Sequence, residues 1–356
     1  MSELAAIVKR AAEEAGFDLC GIAPATDAPE LQHFSAWIAS GRAGEMEYMA
    51  ARDEEGALKR DSLSRIAPWA RSVVVCAINY NTGHPYSNQM QDPKCGWISR
   101  YAWSRKDYHD IVLLRLKQVE AALRQGMPAE LRETLTTRCY VDTGPIVERV
   151  FAKYAGVGWI GKNTCIINQK KSSWLFLGVI LTSLELAPDL PAPDRCGTCT
   201  RCIEACPTEA IIAPYQFDSN KCISYLTIEK RGSIPEDLRA GMGRHIFGCD
   251  ICQDVCPWNR KAPATTVPEF EPRPGLVNPA LAWLAEMSAE EFRAVFRGSP
   301  VRRAKRTGLR RNAAIAMGNS RDPHFLPLLE ELAADQDQSV AESAHWAMKR
   351  LRKPDE

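Results

Sequence analysis

Eight cysteines between residues 196 and 256 have the spacing of iron–sulfur ligands. The first four follow the order Cys-x2-Cys-x2-Cys-x3-Cys-Pro of bacterial ferredoxins, in which three thiolates bind one cubane and the fourth binds another. A second set must then exist, and the remaining four cysteines supply it, with their first ligand displaced upstream. Cluster one is predicted on Cys196, Cys199, Cys202 and Cys256. Cluster two is predicted on Cys206, Cys222, Cys249 and Cys252.

Two other metal chemistries compete with this interpretation. Zinc also binds paired Cys-x2-Cys motifs, but eight thiolates in this order with two Cys-Pro ends favour cubanes. A radical-SAM cluster needs the order Cys-x3-Cys-x2-Cys, which is absent. All eight cysteines are needed as cluster ligands. The clusters are therefore expected to transfer electrons, while the reaction on the substrate occurs elsewhere. The other cysteines are predicted to fill apolar cores: Cys20, Cys76, Cys95, Cys139 and Cys165.

A glycine-rich segment from Gly156 to Asn163 resembles a phosphate-binding loop. It satisfies G-x-G-x-x-G, and it departs from the P-loop only where Asn163 replaces Ser or Thr. A dinucleotide site follows a strand and opens a helix, whereas this segment follows a helical pattern and precedes a strand-like one. We therefore expect no nucleotide here, and glycines that let the backbone approach something large and flat.

Composition excludes some classes of protein. Lys and Arg number 45 against 44 Asp and Glu in 356 residues. The whole-chain charge of +1 therefore gives no argument for a polyanionic partner, and any such argument must be local. The N-terminal stretch is an amphipathic helix rather than a secretory signal, and the longest apolar run, residues 174–181, is too short to span a bilayer. We expect a soluble, cytoplasmic, monomeric protein without membrane passage. Thirteen cysteines without an export signal indicate metal rather than disulfides.

The elements that position the cysteines suggest an α+β chain of three domains. Residues 1–190 combine strands predicted at 72–80 and 164–168 with a helix at 107–124. Proline-rich segments then flank a ferredoxin-like domain at 191–263. A helical domain is predicted at 275–356.

The helical tail contains a short internal repeat. The pattern AAIAMG at Ala313 recurs as AHWAMK at Ala344, 31 residues later. This spacing indicates HEAT-like repeats, although a plain helical hairpin explains one and a half copies equally well. Such a short array cannot bury its inner face alone, so it should pack on the preceding domain.

Three segments carry a specific family resemblance: YVDTGPIVERVFAKYAGVGWIGKNT, CISYLTIE and FGCDICQDVCPWN. With the ferredoxin motif they resemble the epoxyqueuosine reductases over essentially the whole chain. That resemblance implies an enzyme with an N-terminal α/β cobalamin-binding domain, which reduces epoxyqueuosine to queuosine at the wobble position of tRNA. Cobalamin and tRNA follow from the resemblance alone. The family usually has a glycine shortly before Asp-Tyr-His, but the longer Trp103–His109 loop lacks it.

The resemblance also implies a proton donor and a cofactor pocket. Asp142, in Val-Asp-Thr-Gly-Pro, would protonate the leaving oxygen, with a pKa raised by burial beside the macrocycle. Sequence alone would favour a turn residue at Asp142, and only the family resemblance reverses that preference. The implied cofactor contacts are Arg60, Ser99, Arg100, Asp142, Lys162, Ile166, Leu177, Ser224 and Asp250. Taken one by one, these side chains are also typical of surface salt bridges or core packing.

RNA contacts are predicted in a basic run at the start of the tail, uninterrupted by acids. The run comprises Arg293, Arg297, Arg302, Arg303, Lys305, Arg306, Arg310 and Arg311. Within it, Arg302, Arg303, Arg306 and Arg310 are the chosen candidates for the anticodon stem-loop, with Arg149 and Lys153 near the active site. A charge run is more often a solvated face.

Two other functions remain open from sequence: a ferredoxin-type electron carrier, and a dehalogenase-like corrinoid enzyme acting on a small molecule. A carrier would retain no corrinoid, whereas the basic tail disfavours a small-molecule enzyme. As an enzyme, the protein would take electrons from a low-potential donor such as flavodoxin or ferredoxin.

Overall fold

The computed structural model describes residues 2–352, and its first part is built on a four-stranded antiparallel sheet in the order β1–β2–β7–β4. The elements of this part are α1 (Ser2–Glu14), β1 (Leu19–Pro24), α2 (Glu30–Ala39), β2 (Ser72–Asn79), β3 (Trp97–Ile98), α3 (Tyr108–Gln125), α4 (Ala129–Thr134), β4 (Thr137–Tyr140), α5 (Glu148–Tyr154), β5 (Trp159–Ile160), β6 (Ile166–Ile167) and β7 (Leu175–Thr182).

Strand β2 lies in the centre of the sheet and explains why both faces are covered. Its eight residues are all buried, and successive side chains point to opposite faces. Val74 and its neighbours on one face pack with α1 and α3, while Val75 and its neighbours on the other pack with α5. The strand predicted at 72–80 is confirmed, and the sheet forms a layer between helices.

Helix α3 confirms the prediction for residues 107–124 and shows how it begins. Asp107 is the N-cap, and its carboxylate accepts a 3.1 Å hydrogen bond from the backbone N–H of His109. A Cβ on Gly178 of β7 would lie 2.8 Å from side-chain atoms of Val112 and Leu116. Glycine therefore allows the helix to approach the sheet closely.

The cysteine-rich part consists of short elements around the thiols. They are α6 (Arg201–Glu204), β8 (Ile211–Ala213), β9 (Gln216–Phe217), α7 (Ile223–Ile228), α8 (Glu236–Arg239), β10 (His245–Phe247) and α9 (Ile251–Asp254). Strand β10 pairs in parallel with β3, so a ladder joins this part to the first part of the chain. The proline-rich segment that follows packs on the first part of the chain and is not a flexible linker. Its residues Val267 and Phe270 are buried in the same core as α1 and α3.

The tail is entirely helical, and it packs on both preceding parts. Its helices are α10 (Leu281–Glu286), α11 (Ala289–Val295), α12 (Lys305–Ser320), α13 (Leu326–Leu332) and α14 (Gln338–Arg352). Ala313 and Ala344 are fully buried in a core that also contains Trp103 and Phe247. The expected packing of the tail on earlier domains is confirmed. Within residues 2–352, every helix is too short or too polar to cross a membrane.

Candidate iron–sulfur and active site

The structure brings Cys196, Cys199, Cys202 and Cys256 together around one cavity, which all four thiols line. Burial raises the pKa of Cys256 to about 11, and the charges of Cys196 and Cys202 contribute to the increase. The loop that carries the first three thiols is held by Lys162, whose ammonium donates to the carbonyls of Gly197 at 2.7 Å and Cys199 at 2.9 Å.

The other four thiols form a second, deeper group. Burial raises the pKa of Cys222 to about 11, with a further contribution from Cys206. The pKa of Cys249 is raised by burial and then by Cys222, and Cys249 in turn acts on Cys252. Each thiol therefore interacts with others of the same predicted set.

Sequence reasoning missed a ninth thiol beside this group. Cys165 forms a hydrogen bond with Cys252, and its charge also affects Cys222 and Cys256. It therefore lies close to ligands of both predicted clusters rather than only filling an apolar core. Sequence could have identified Cys165 by its position, because it directly follows Lys162-Asn-Thr at the end of the glycine-rich segment.

The donor set fits two cubanes chemically. Crowded, buried thiols resist ionisation because each thiolate repels the next and loses hydration. Iron removes this cost by binding the thiolates directly, so both groups are suited to hold a positively charged cluster core.

The glycine-rich segment packs tightly against the protein's own backbone, and its expected approach to a large flat ligand stays a prediction. A Cβ on Gly158 would lie 2.5 Å from the carbonyl oxygen of Ile167, and one on Gly161 would lie 2.5 Å from that residue's side chain. The glycines thus let β5 and β6 form a tight hairpin. This hairpin places Lys162 over the cluster-one loop.

Asp250 connects the deeper thiol group to the first part of the chain. Its carboxylate accepts a short hydrogen bond from Ser99 Oγ and a 2.7 Å bond from the backbone N–H of Arg100. The Arg100 guanidinium is buried elsewhere: it donates to Thr82, His84 and Pro85 and lies over three aromatic rings. Its side chain is therefore committed to holding a loop.

The other residues predicted to contact the cofactor differ in their burial and in whether they already bind other parts of the protein. Arg60 donates to the carbonyls of Tyr48 at 2.6 Å and Gly144 at 3.0 Å, so it ties down the loop that carries Asp142. Ile166 is buried in the core on the β2–α5 side of the sheet, and Leu177 is half-buried at its edge. Ser224 is half-buried in α7, two residues after Cys222.

Asp142 lies in a left-handed backbone conformation, with φ of 58°, after β4. Tyr108 Oη donates to its carboxylate at 2.6 Å, and His109 Nε2 lies 3.9 Å from the same oxygen. On its other side, His109 Nδ1 is 2.7 Å from the carboxylate of Asp107. Sequence reasoning noted this loop but missed that it supplies the partners of Asp142.

The Asp142 side chain is 68% exposed in the protein alone, and its expected burial beside a macrocycle stays a prediction. The buried carboxyl is that of Glu148, six residues later at the start of α5. Burial, and then the negative charge of Asp142, raise the pKa of Glu148 to about 8. Its Oε1 is buried without a hydrogen-bond partner among the described residues. The protonated form of Glu148 is thus favoured beside the carboxyl group of Asp142.

One predicted RNA residue, Arg303, lies close to this carboxylate. Its guanidinium pairs with Glu229 and lies 5.1 Å from the centre of the Tyr48 ring. Burial lowers the pKa of Arg303, but Glu229, with smaller contributions from Tyr48 and Asp142, raises it above its usual value. The basic run and Asp142 therefore face the same region. Arg302 and Lys305 are exposed beside Arg303.

Several of the other predicted RNA contacts are occupied by the protein. Lys153 pairs with Glu30, Arg306 donates to the carbonyl of Met287, and Arg310 pairs with Asp335. Arg149 is exposed but donates to Thr164. Arg311 is buried inside the molecule. The sequence could not distinguish these internally bound side chains from exposed cations, because their binding partners are distant in the chain.

Two thiol groups on a ferredoxin-like scaffold, joined to a mixed α/β domain with a carboxylate site, define an iron–sulfur oxidoreductase. Residues 195–259 match the family model of the 4Fe-4S double cluster binding domain. Residues 60–143 match the model of epoxyqueuosine reductase QueG, DUF1730. The chain therefore carries two [4Fe–4S] clusters.

Curated relatives match over most of the chain. An epoxyqueuosine reductase of Synechocystis sp. is 45% identical, covering 82% of this chain and 98% of its own length. One of Pseudomonas aeruginosa is 39% identical, covering 98% and 95%. This chain belongs to the epoxyqueuosine reductase family.

Solved structures agree with this assignment. An epoxyqueuosine reductase crystallised with an epoxyqueuosine-modified tRNA-Tyr stem loop matches with a TM-score of 0.86 at 30% identity, over 98% of this chain and 90% of that one. The Streptococcus thermophilus enzyme matches with a TM-score of 0.84 at 29% identity, over the same shares.

Proposed function

We propose that this protein reduces epoxyqueuosine to queuosine in tRNA, using cobalamin supplied with electrons by its two clusters. The observation that carries the proposal is the arrangement at Asp142. The accessible carboxylate of Asp142, the exposed cation of Arg303 and Asp250, the residue after Cys249, all border the same part of the molecule. The reduction removes the epoxide oxygen as water and consumes two electrons and two protons, so electron and proton sources must meet at the substrate.

The cofactor pocket would use the residues that the protein leaves available. Bound cobalamin would supply a strongly nucleophilic, low-potential cobalt centre. Leu177 and Ile166 would give an apolar wall on the sheet. Ser224 and the Ser99–Asp250 pair would lie between the pocket and cluster two, since both adjoin its ligands. Arg60, Arg100 and Lys162 would act by holding loops in place, because their cations already bind carbonyls.

Proton delivery would fall to the carboxyl groups at the Asp142 loop. Tyr108 orients Asp142 through its 2.6 Å hydrogen bond. An exposed carboxylate would become a useful acid only when the cofactor and the substrate cover it and exclude water, because burial favours the protonated form. Asp142 is therefore the proposed donor to the leaving oxygen.

The RNA surface would be formed by Arg302, Arg303 and Lys305 at the start of the tail. These exposed cations can neutralise phosphates of an anticodon stem while the unstacked wobble base enters the site. The tail helices would act as a HEAT-like support for this surface. The predicted boundaries at about residues 190, 263 and 275 belong to the same proposal. So do a cytoplasmic monomer and an electron donor of the flavodoxin or ferredoxin type.

The test is anaerobic preparation with cobalamin, quantification of iron and cobalt, and turnover of an epoxyqueuosine-containing stem-loop with reduced viologen, followed by mass spectrometry. Wild type should retain both metals and release one oxygen atom from the base. Asp142→Asn should retain both metals but lose roughly 10²-fold or more in rate. Full turnover by Asp142→Asn would transfer the acid role to another group. Iron without cobalt would instead indicate an electron carrier.

A further inference from the structure

Cluster one is the shallower of the two predicted clusters. Four of the residues around its first three ligands are exposed, namely Gly197, Thr198, Thr200 and Arg201. Three ligands of cluster two, Cys222, Cys249 and Cys252, instead adjoin buried residues such as Ile223, Gly248 and Asp250, and only Cys206 has exposed neighbours. Because electron transfer slows steeply with distance, an external donor must approach the molecule at cluster one.

The surface beside cluster one is a basic groove. Arg201 and Arg260 line it together, and Arg201 also borders the cavity that contains the four cluster-one thiols. No carboxylate among residues 2–352 pairs with either guanidinium, and both side chains are exposed. Arg195 and Lys261 are exposed nearby in sequence.

The acidic side chains of the groove are already engaged. Glu204 accepts a hydrogen bond from Thr200, and the buried Asp254 accepts one from Ser87 at 2.7 Å. Arg201 and Arg260 outnumber Glu204, the one exposed carboxylate that lines the groove, so the net accessible charge is positive. Trp258, half-buried, also lines the cluster-one cavity and packs edge-on against Trp159. Arginine and tryptophan are the residues that most often anchor a protein partner.

We propose that this groove, lined by Arg201 and Arg260, together with Trp258 at the adjoining cluster-one cavity, is the docking surface for an acidic one-electron carrier protein. This inference rests on the proposed function, since it supplies the electrons for that reaction. In each encounter the reduced carrier loses one electron and cluster one passes from its 2+ to its 1+ state, without transfer of a proton or an atom. Two encounters provide the pair that the epoxide consumes. A small charged surface suits the weak, transient complexes of electron transfer.

The experiment measures the rate at which chemically reduced flavodoxin, an acidic carrier, bleaches the visible absorption of the clusters in stopped flow. Neither tRNA nor cobalamin is present. The variant Arg201→Glu/Arg260→Glu should slow this reduction by roughly 10-fold or more at low salt, and the difference should shrink at high salt. Reduction by viologen should be unchanged, which shows that the clusters are intact. The control Arg10→Glu/Lys349→Glu makes the same charge change at exposed helix positions and should react as wild type.

Three outcomes would overturn the docking surface. These are absence of reduction by flavodoxin in wild type, a wild-type rate that does not depend on salt, or equal rates in the variant and wild type. Weaker binding of the anticodon stem-loop by the variant, with unchanged flavodoxin kinetics, would assign the groove to RNA instead. Failure of epoxyqueuosine turnover would refute the proposed function but leave this test intact, because cluster reduction is measured separately.

Discussion

At the scale of single residues, the acid–base site consists of two unlike carboxyl groups. Asp142 is accessible and hydrogen-bonded to Tyr108, whereas Glu148 is buried with an unpartnered oxygen. Their charges interact, so ionisation of one opposes ionisation of the other. The protein thus holds a proton at Glu148 next to the group proposed to deliver one.

Substitution of Glu148 with Gln tests this protonation through stability. The pKa of Glu148 is raised to about 8 in the folded protein, from 4.5, so the folded state keeps a proton that the unfolded state releases. Stability is therefore full below about pH 4.5 and is lost as the pH rises toward about 8, at about 1.4 kcal/mol per pKa unit. Near pH 5 the melting temperature of cobalamin-free Glu148→Gln should equal that of wild type. Near pH 9 it should be higher than that of wild type.

The control is Glu13→Gln, an exposed glutamate on α1. Its melting temperature should follow the wild-type curve across the whole pH range. Parallel curves for wild type and Glu148→Gln would show that Glu148 is already ionised at neutral pH, and its role as a stored proton would be lost.

At the scale of elements, helix α12 is the joint that fixes the tail to the cluster domain. Asn312 is fully buried and donates to the carbonyls of Thr227 at 2.9 Å and Ile246 at 2.8 Å. Arg311, also buried, donates to the carbonyl of Leu226 at 2.8 Å and to two further carbonyls. The basic run thus divides: its first residues face solvent, and Arg311 holds the helix in place.

Asn312→Ala should weaken this joint. Two buried carbonyls would lose their donor, and each unsatisfied group costs about 1–3 kcal/mol, so we expect a loss of about 2–4 kcal/mol. The measurement is the apparent melting temperature of the cluster-loaded protein, which should fall by several degrees. Gln336→Ala, an exposed tail position, should leave it unchanged. Equal melting of all three proteins would mean that water replaces the amide and that the joint depends on apolar packing.

At the scale of the whole molecule, the three parts of the chain contribute different functional side chains to one region. The first part provides the carboxylates, the cluster domain contributes Asp250 beside Ser99, and the tail presents Arg303 near Asp142. Cluster one and its basic groove open elsewhere, around Arg201 and Arg260. Under the two proposals, electron entry and RNA binding would therefore use different basic surfaces.

RNA binding should depend on the exposed cations alone. Arg302→Glu/Lys305→Glu should weaken binding of the anticodon stem-loop about 10-fold or more at low salt and reduce the slope of log K against log salt by about 2, roughly 1 for each lost phosphate contact. Fluorescence anisotropy over a salt series measures both quantities. The Arg10→Glu/Lys349→Glu protein is the matched control. If the two variants bind alike, these residues form only a solvated face.

Local sequence determined the features whose causes lie within a short stretch of chain. The spacing of eight cysteines predicted a double cluster, which the family model confirms, because a cubane must be wrapped by nearby residues. Apolar periodicity likewise predicted β2 and α3, since each period is a property of one strand or helix. The family itself was recognisable from three short segments.

Tertiary structure decided which polar side chains remain free. Lys162 and Arg310 are like other cations in sequence, but their partners are 35 or 37 residues away for the first and 25 away for the second. The proximity of Cys165 to Cys252 and of Asp142 to Arg303 likewise arises from packing between distant segments. Burial is equally non-local, which is why sequence reasoning did not identify Glu148, whose pKa burial raises to about 8.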